Sequence, residues 1–203
     1  MATRKIKDQV QTSQNVSVID LLLFDHRFVK QCIEVFQDDT ADKIKKLTLS
    51  RGFLEAVQKH SIAEKKAVYS KLTSNKELHF IILEAEIEHG IVDQKVKSLK
   101  NKVARVRVLK DEVEAELKVL ADLLQHHLRE EESEMFPKMQ EAIDEATLME
   151  MGTDFMQLRN ITPQDLTDYP MLQDELIQWK DSVQKISSQF LSKMDKYVEN
   201  LKH

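Results

Sequence analysis

Residues 120–137 read LADLLQHHLREEESEMFP and favour a helix that carries polar groups on its buried face. Its apolar residues follow the helical period of about 3.6: Leu120, Leu123 and Leu124. His127 continues their stripe, and Glu131 follows one turn later on the same face. A buried carboxylate costs several kcal/mol unless it is paired or bound to a metal. This stretch therefore predicts a cation site inside a helical protein.

The rest of the chain extends this pattern to an all-α fold. Only 3 Gly and 3 Pro occur among 203 residues, too few for the frequent turns of an all-β fold. Four apolar stripes at helical spacing predict an up-down-up-down four-helix bundle. Helix-ending clusters separate the first two pairs of stripes, at 38–40 and 73–75. A further amphipathic stretch predicts an additional C-terminal helix at about 172–201.

Three segments are expected along the chain. Residues 1–15 are polar and predict a flexible tail, 16–150 form the bundle, and 151–203 form a connector and the C-terminal helix. The helical pattern fades near Gly152, and two prolines follow it. Pro137 lies inside the fourth helical pattern and predicts a kink there, because proline lacks a backbone N–H.

Charge and cysteine content narrow the class of protein. The net charge of −5 argues against a nucleic-acid partner, which would require a basic face. The single cysteine, Cys32, excludes an internal disulfide framework and a cysteine-built zinc site. Neither a signal-peptide apolar segment nor a run of about 18 apolar residues is seen, so we expect a cytoplasmic protein without a membrane partner.

Four of the seven histidines lie on the four apolar stripes, one on each: His26, His60, His89 and His127. His60 is followed one turn later by Glu64, as His127 is by Glu131. In an antiparallel helix pair, residues at the same height are equally far from the turn. The midpoints of the first two successive histidine pairs, position 43 and the 74/75 bond, fall beside or within helix-ending clusters. The third, 108, falls in a stretch without a breaker, so that turn is inferred from the histidines.

Three further residues leave alternatives. His126 lies on a polar face, so we prefer His127 as the ligand, and His79 is expected to be structural or exposed. Asp93 follows His89 by four residues and is either a further ligand or a polar residue at the stripe edge. Imidazole and carboxylate ligands together suit iron, manganese or zinc.

These motifs resemble the hemerythrin-like, HHE cation-binding family. The resemblance covers about residues 16–148. The matching segments are Phe24-Asp25-His26, His60-xxx-Glu64 with Val68-Tyr69, Glu88-His89, and the run from His127 to Phe136-Pro137.

The resemblance implies a four-helix bundle that holds two non-heme iron ions bridged by an oxo or hydroxo group. The implied ligands are His26, His60, Glu64, His89, His127 and Glu131, with the two glutamates as bridges. Oxygen-carrying members resemble a pattern with His-xxx-His on the third helix, where this chain has Asp93. The loss of a nitrogen donor favours nitric oxide or peroxide chemistry over reversible oxygen carriage.

We therefore expect a non-heme di-iron protein that binds oxygen or nitric oxide or senses redox state. Its partners would be a small diatomic ligand or peroxide, with the C-terminal helix available to a protein partner. One alternative is a di-iron enzyme acting on peroxide or nitric oxide, and another is a helical interaction module with a vestigial metal site. The first is favoured because no general acid or substrate pocket is evident in the sequence.

Overall fold

The computed structural model describes residues 16–161, and this part of the chain is helical without strands. The α-helices are α1 (Val18–Gln37), α2 (Lys43–Glu64), α3 (Ser70–Leu72), α4 (His79–Val103), α5 (Asp111–Glu130), α6 (Phe136–Ala142) and α7 (Glu145–Arg159). Two π-helical turns, Lys65–Tyr69 and Glu131–Met135, join α2 to α3 and α5 to α6. The predicted all-α class is confirmed.

The four long helices form a closed bundle. Helix α1 packs against α2 and α5, and α4 packs against the same two helices from the other side. The last helix, α7, lies outside this ring of four and packs on α1 and α2. The predicted bundle with an extra helix is confirmed. The predicted tail at 1–15 and the predicted helix at 172–201 lie outside the described residues.

Local sequence signals set the helix ends. Ser17 caps α1 by accepting a hydrogen bond from the Ile19 N–H at 3.3 Å. Asp42 caps α2 in the same way, with its Oδ1 2.7 Å from the Ile44 nitrogen. Two histidine midpoints, 74/75 and 108, fall within turns of the bundle, the second in a stretch between Val103 and Asp111 that contains no glycine or proline. The other midpoint, 43, is the first residue of α2 and lies next to the turn at 38–42.

The C-terminal boundary of the helical region differs from the sequence prediction. Helix α7 continues through Gly152 to Arg159, whereas the helical pattern was expected to fade near Gly152. The reason is close packing: a Cβ at Gly152 would lie 2.0 Å from the Val16 carbonyl oxygen. Glycine here admits a neighbouring backbone and does not end the helix. The helix ends instead at Arg159, followed by the C-cap residue Asn160 with a left-handed φ of 55°.

Two apolar clusters fill the interior of the described region. One gathers residues from the start of α1, the π turns and α7, including Leu22, Ile82 and Phe155. The other gathers residues from the opposite end of the bundle, including Phe36, Phe53 and Leu120. Buried histidines and glutamates occupy the layer between them. None of the helices in residues 16–161 is both long and apolar enough to cross a membrane.

Candidate metal centre

The four stripe histidines meet in the polar layer with their Nε2 atoms directed inward. His26 Nε2 lies 3.2 Å from Glu131 Oε2, and His127 Nε2 lies 3.3 Å from Glu131 Oε1. His60 Nε2 and His89 Nε2 each lie 3.3 Å from Glu64 Oε2. All six side chains are buried. The two glutamates thus lie among the four imidazoles.

The Nδ1 atoms of three of these histidines contact carboxylates. His26 Nδ1 lies 3.0 Å from Glu132 Oε1, and His127 Nδ1 lies 2.7 Å from Glu88 Oε2. His60 Nδ1 lies 3.2 Å from Asp25 Oδ2. An ionised carboxylate can only accept a hydrogen bond, so each Nδ1 must be the donor. In a neutral imidazole the corresponding Nε2 then carries a free lone pair.

His89, the fourth histidine, also donates from Nδ1, but its acceptor is the hydroxyl oxygen of Ser61. Ser61 Oγ donates to Asp93 Oδ1 at 3.0 Å, so its single proton is already used. His89 Nδ1, 3.2 Å from that Oγ, must therefore donate to it. His89 Nε2 is left with a lone pair, and it lies only 2.7 Å from His127 Nε2. Two facing lone pairs at this distance repel each other unless a cation or a proton lies between them.

The polar layer consequently holds an excess of acceptors. Buried atoms without a hydrogen-bond partner are His26 Nε2, His60 Nε2, Glu64 Oε1, Glu64 Oε2 and Glu131 Oε2. Within the described residues, the one hydroxyl that donates into this layer belongs to Tyr69, whose Oη lies 2.6 Å from Glu131 Oε1. Buried polar groups are rarely left unpaired. A set of inward-facing nitrogen and oxygen acceptors therefore fits metal cations.

The ligand atoms fall into two groups that share one residue. His26, His60 and Glu131 form one group, and Glu64, His89, His127 and Glu131 form the other, with the atoms of each group within 4.8 Å of one another. Glu131 belongs to both groups. Glu64 Oε2 is also equidistant, at 3.3 Å, from a histidine nitrogen of each group. Each group could hold a cation, and Glu131 could contribute to either.

Ionisation in the metal-free protein agrees with this picture. Burial raises the pKa of Glu64, but the charge and hydrogen bond of His60, with the charges of His26 and His127, together outweigh it and hold that pKa below its ordinary value. Burial lowers the pKa of His60, but Glu64 and Asp25 outweigh it and raise that pKa to about 10. Burial and the charge of His127 hold the pKa of His89 well below its ordinary value. A proton on His60 thus replaces part of the positive charge that a metal would bring.

The structure separates the residues that the sequence left open. His127 is buried in the centre, whereas His126 is exposed and lies outside the polar layer. His79 is also exposed, and its Nδ1 lies 2.8 Å from the Thr73 carbonyl oxygen. Asp93 belongs to neither ligand group, because Lys65 Nζ holds one of its oxygens at 2.6 Å and Ser61 holds the other. Asp93 therefore acts on His89 through Ser61.

Several supporting residues were not predicted. Asp25 and Glu88 each precede a candidate ligand on one helix but hydrogen-bond the histidine of the following long helix. Arg159, from α7, binds Asp25 with both Nε (2.7 Å) and Nη2 (2.9 Å). Their acidic type and their position beside a histidine were visible in the sequence. The sequence did not show which neighbouring helix each acidic residue would contact.

Both glutamates lie at the junction with a π-helical turn. Glu64 ends α2 immediately before the first π turn, and Glu131 begins the second. π turns inside α-helices occur often at functional sites. The second turn ends at Met135, two residues before Pro137, where the sequence predicted an interruption of the regular helix.

Each long hairpin of the bundle follows the same plan. In α1 and α2, Asp25 precedes His26, and the spacing His60, Glu64, Tyr69 follows. In α4 and α5, Glu88 precedes His89, and the spacing His127, Glu131, Phe136 follows. In both hairpins the acidic residue of the first helix contacts Nδ1 of the histidine on the second. The centre is thus built from two similar halves.

The fold and the centre define a helical-bundle protein that can hold cations through histidine and carboxylate groups. Residues 17–139 match the hemerythrin HHE cation binding domain, and the chain belongs to that family. No curated protein and no solved structure matches the chain. The resemblance identified from the sequence is confirmed, and α7 lies beyond the matched residues.

Proposed function

We propose that the chain is a non-heme iron protein that holds two iron ions in the polar layer and binds a small ligand there. The proposed ligands are His26, His60, Glu64, His89, His127 and Glu131. The observation that carries the proposal is the group of buried acceptor atoms that have no hydrogen-bond partner. Bound iron would supply the missing positive charge and coordination positions open to oxygen, nitric oxide or peroxide.

The number of protein residues that would coordinate each ion favours sensing or binding of a small molecule over reversible oxygen carriage. Asp93 is left out of the proposed set because Ser61 and Lys65 occupy its oxygens. Each ion would then have two imidazoles and a share of two carboxylates, a set that leaves coordination positions open. This supports sensing or binding of oxygen, nitric oxide or the redox state, in the cytoplasm as the sequence suggests.

An enzyme acting on peroxide or nitric oxide is the second candidate, and Tyr69 is the observation that favours it. Burial and the neighbouring glutamates raise the pKa of Tyr69 well above its ordinary value, so its hydroxyl stays protonated. That hydroxyl lies 2.6 Å from Glu131 and 3.3 Å from His89 Nε2, within reach of the centre. It could hold a proton next to a bound ligand. Peroxide turnover that falls in Tyr69→Phe while iron content is kept would favour the enzyme.

Metal analysis of the purified full-length protein tests the iron proposal. We expect about two iron ions per chain and, after aerobic purification, the near-ultraviolet absorption of a bridged ferric pair. His127→Ala should lose most of the iron, because the loss of a direct ligand costs more than the about 10–100-fold loss typical of supporting residues. His126→Ala is the matched control and should keep wild-type iron. Iron lost in His126→Ala but kept in His127→Ala would contradict the proposed ligands.

A further inference from the structure

A third group of potential metal ligands lies outside the buried centre, on the surface between α4 and α5. His126 and Glu130 are one turn apart on α5, and His126 Nε2 lies 3.2 Å from Glu130 Oε1. Glu88 reaches the same nitrogen from α4, with its Oε1 at 3.7 Å. The three ligand atoms lie within 4.8 Å of one another, and none of the three side chains is buried. One imidazole and two carboxylates suit a divalent cation.

A small cleft beside α4 and α5 is lined by residues of both the surface group and the buried centre. Its lining includes Glu88 and Glu130 at the surface and His127 and Glu131 inside, together with the exposed carboxylate of Glu84. Glu131 is only 2% exposed, and its Oε2 has no hydrogen-bond partner. A buried oxygen without a hydrogen-bond partner, on a residue that lines the cleft, would attract a cation inward.

Glu88 belongs to both ends of this route. Its Oε1 faces His126, and its Oε2 accepts the hydrogen bond from His127 Nδ1 at 2.7 Å. The carboxylate that would hold a cation at the surface therefore also orients a proposed ligand of the buried centre. Clefts lined by charge of one sign raise the local concentration of counter-ions and their rate of association.

We propose that Glu88, His126 and Glu130 form a surface site for a divalent cation, and that iron enters the buried centre from this site. The second part rests on the proposed function. The competing interpretation is that His126 only makes polar contacts with the two carboxylates and binds no cation.

Zinc binding tests whether the surface site exists. Iron-loaded full-length protein is titrated with zinc, and bound zinc is measured by equilibrium dialysis. We expect one further zinc ion per chain in the wild type and in His79→Ala, which removes another exposed histidine, and none in the double variant His126→Ala/Glu130→Gln. Equal zinc binding by the wild type and the double variant would overturn the site, as would no further zinc in the wild type.

The rate of iron uptake tests the entry role. Metal-free full-length protein is mixed with ferrous iron under argon, samples are quenched with a chelator, and protein-bound iron is measured over time. The double variant should fill about tenfold more slowly than the wild type and His79→Ala, but to the same final content. Equal rates would overturn the entry role. If no protein binds iron, the proposed function fails and the entry role with it, while the zinc titration, repeated on the iron-free proteins, still decides whether the surface site exists.

Discussion

Arg159→Ala should destabilise the protein because it removes the guanidinium group that donates to both oxygens of the buried Asp25 carboxylate. Asp25 is 6% exposed, and Arg159 donates to both of its oxygens, at 2.7 and 2.9 Å. Burial raises the pKa of Asp25, but the hydrogen bonds from His60 and Arg159 outweigh it and hold that pKa below its ordinary value. After the substitution, Asp25 keeps its contact with His60 Nδ1 at 3.2 Å.

The size of the effect follows from burial. Removing one partner of a buried ion pair costs about 3–5 kcal/mol, because the other charge is left uncompensated. The Arg159 side chain is 13% exposed, so water replaces part of its contribution, and we expect a loss of about 3 kcal/mol. The orientation of His60 depends on Asp25, so iron affinity should also fall, by about 10–100-fold.

Lys71→Ala provides the matched control, since it removes a second ion pair between α7 and the rest of the fold. Lys71 Nζ lies 2.6 Å from Asp154 Oδ2, with the two side chains 32% and 42% exposed. An exposed pair contributes about 0–1 kcal/mol. Urea unfolding followed by circular dichroism measures both variants in metal-free and iron-loaded protein. If Arg159→Ala costs no more than Lys71→Ala and binds iron as the wild type does, the coupling of α7 to His60 is refuted.

Three further predictions concern packing, the thiol and pH. Gly152→Ala should lower the melting temperature through a loss of about 1–3 kcal/mol, because its Cβ would meet the Val16 carbonyl oxygen, whereas Gly90→Ala, with nothing within 4 Å, should leave stability unchanged or higher. Burial raises the pKa of the Cys32 thiol far above its ordinary range, so iodoacetamide should label it only after unfolding; rapid labelling of folded protein would contradict the buried position. In metal-free protein the pKa of His60 is raised to about 10, so the stability from its charge is present below the ordinary value of about 6.5 and is lost as pH rises through 10. Urea unfolding at pH 7 and pH 10.5 checks this, and His60→Gln should remove the difference.

The sequence was sufficient to predict the residues that face the centre. His26, His60, His89 and His127 lie on apolar stripes, and a polar group on such a stripe is buried whatever the detailed packing. Helix-ending residues then fixed two of the turns and therefore the common height. The face of a helix on which a residue lies, and the residue at which the helix ends, are both determined by nearby residues in the sequence.

Contacts between helices could not be predicted in the same way. Asp93 was a candidate ligand because it lies one turn after His89, but its direction is decided by Lys65 and Ser61 on the adjacent helix and its π turn. Gly152 was expected to mark the end of the helical pattern, but the chain uses it for the approach of the Val16 backbone. Both outcomes depend on the relative rotation and distance of two helices, which a single-helix pattern does not contain.

The common plan of the two hairpins gives the centre an approximate two-fold symmetry. Under a true two-fold, the two proposed iron positions would have equivalent surroundings. The ninth residue after each second-helix histidine breaks this symmetry, because Tyr69 carries a hydroxyl and Phe136 does not. The Tyr69 hydroxyl contacts His89 and Glu131, whereas the Phe136 ring stacks on His26 at a centroid distance of 5.5 Å. One position therefore has a polar, proton-bearing neighbour and the other an apolar one, so a pair of identical ions held here would differ in reactivity.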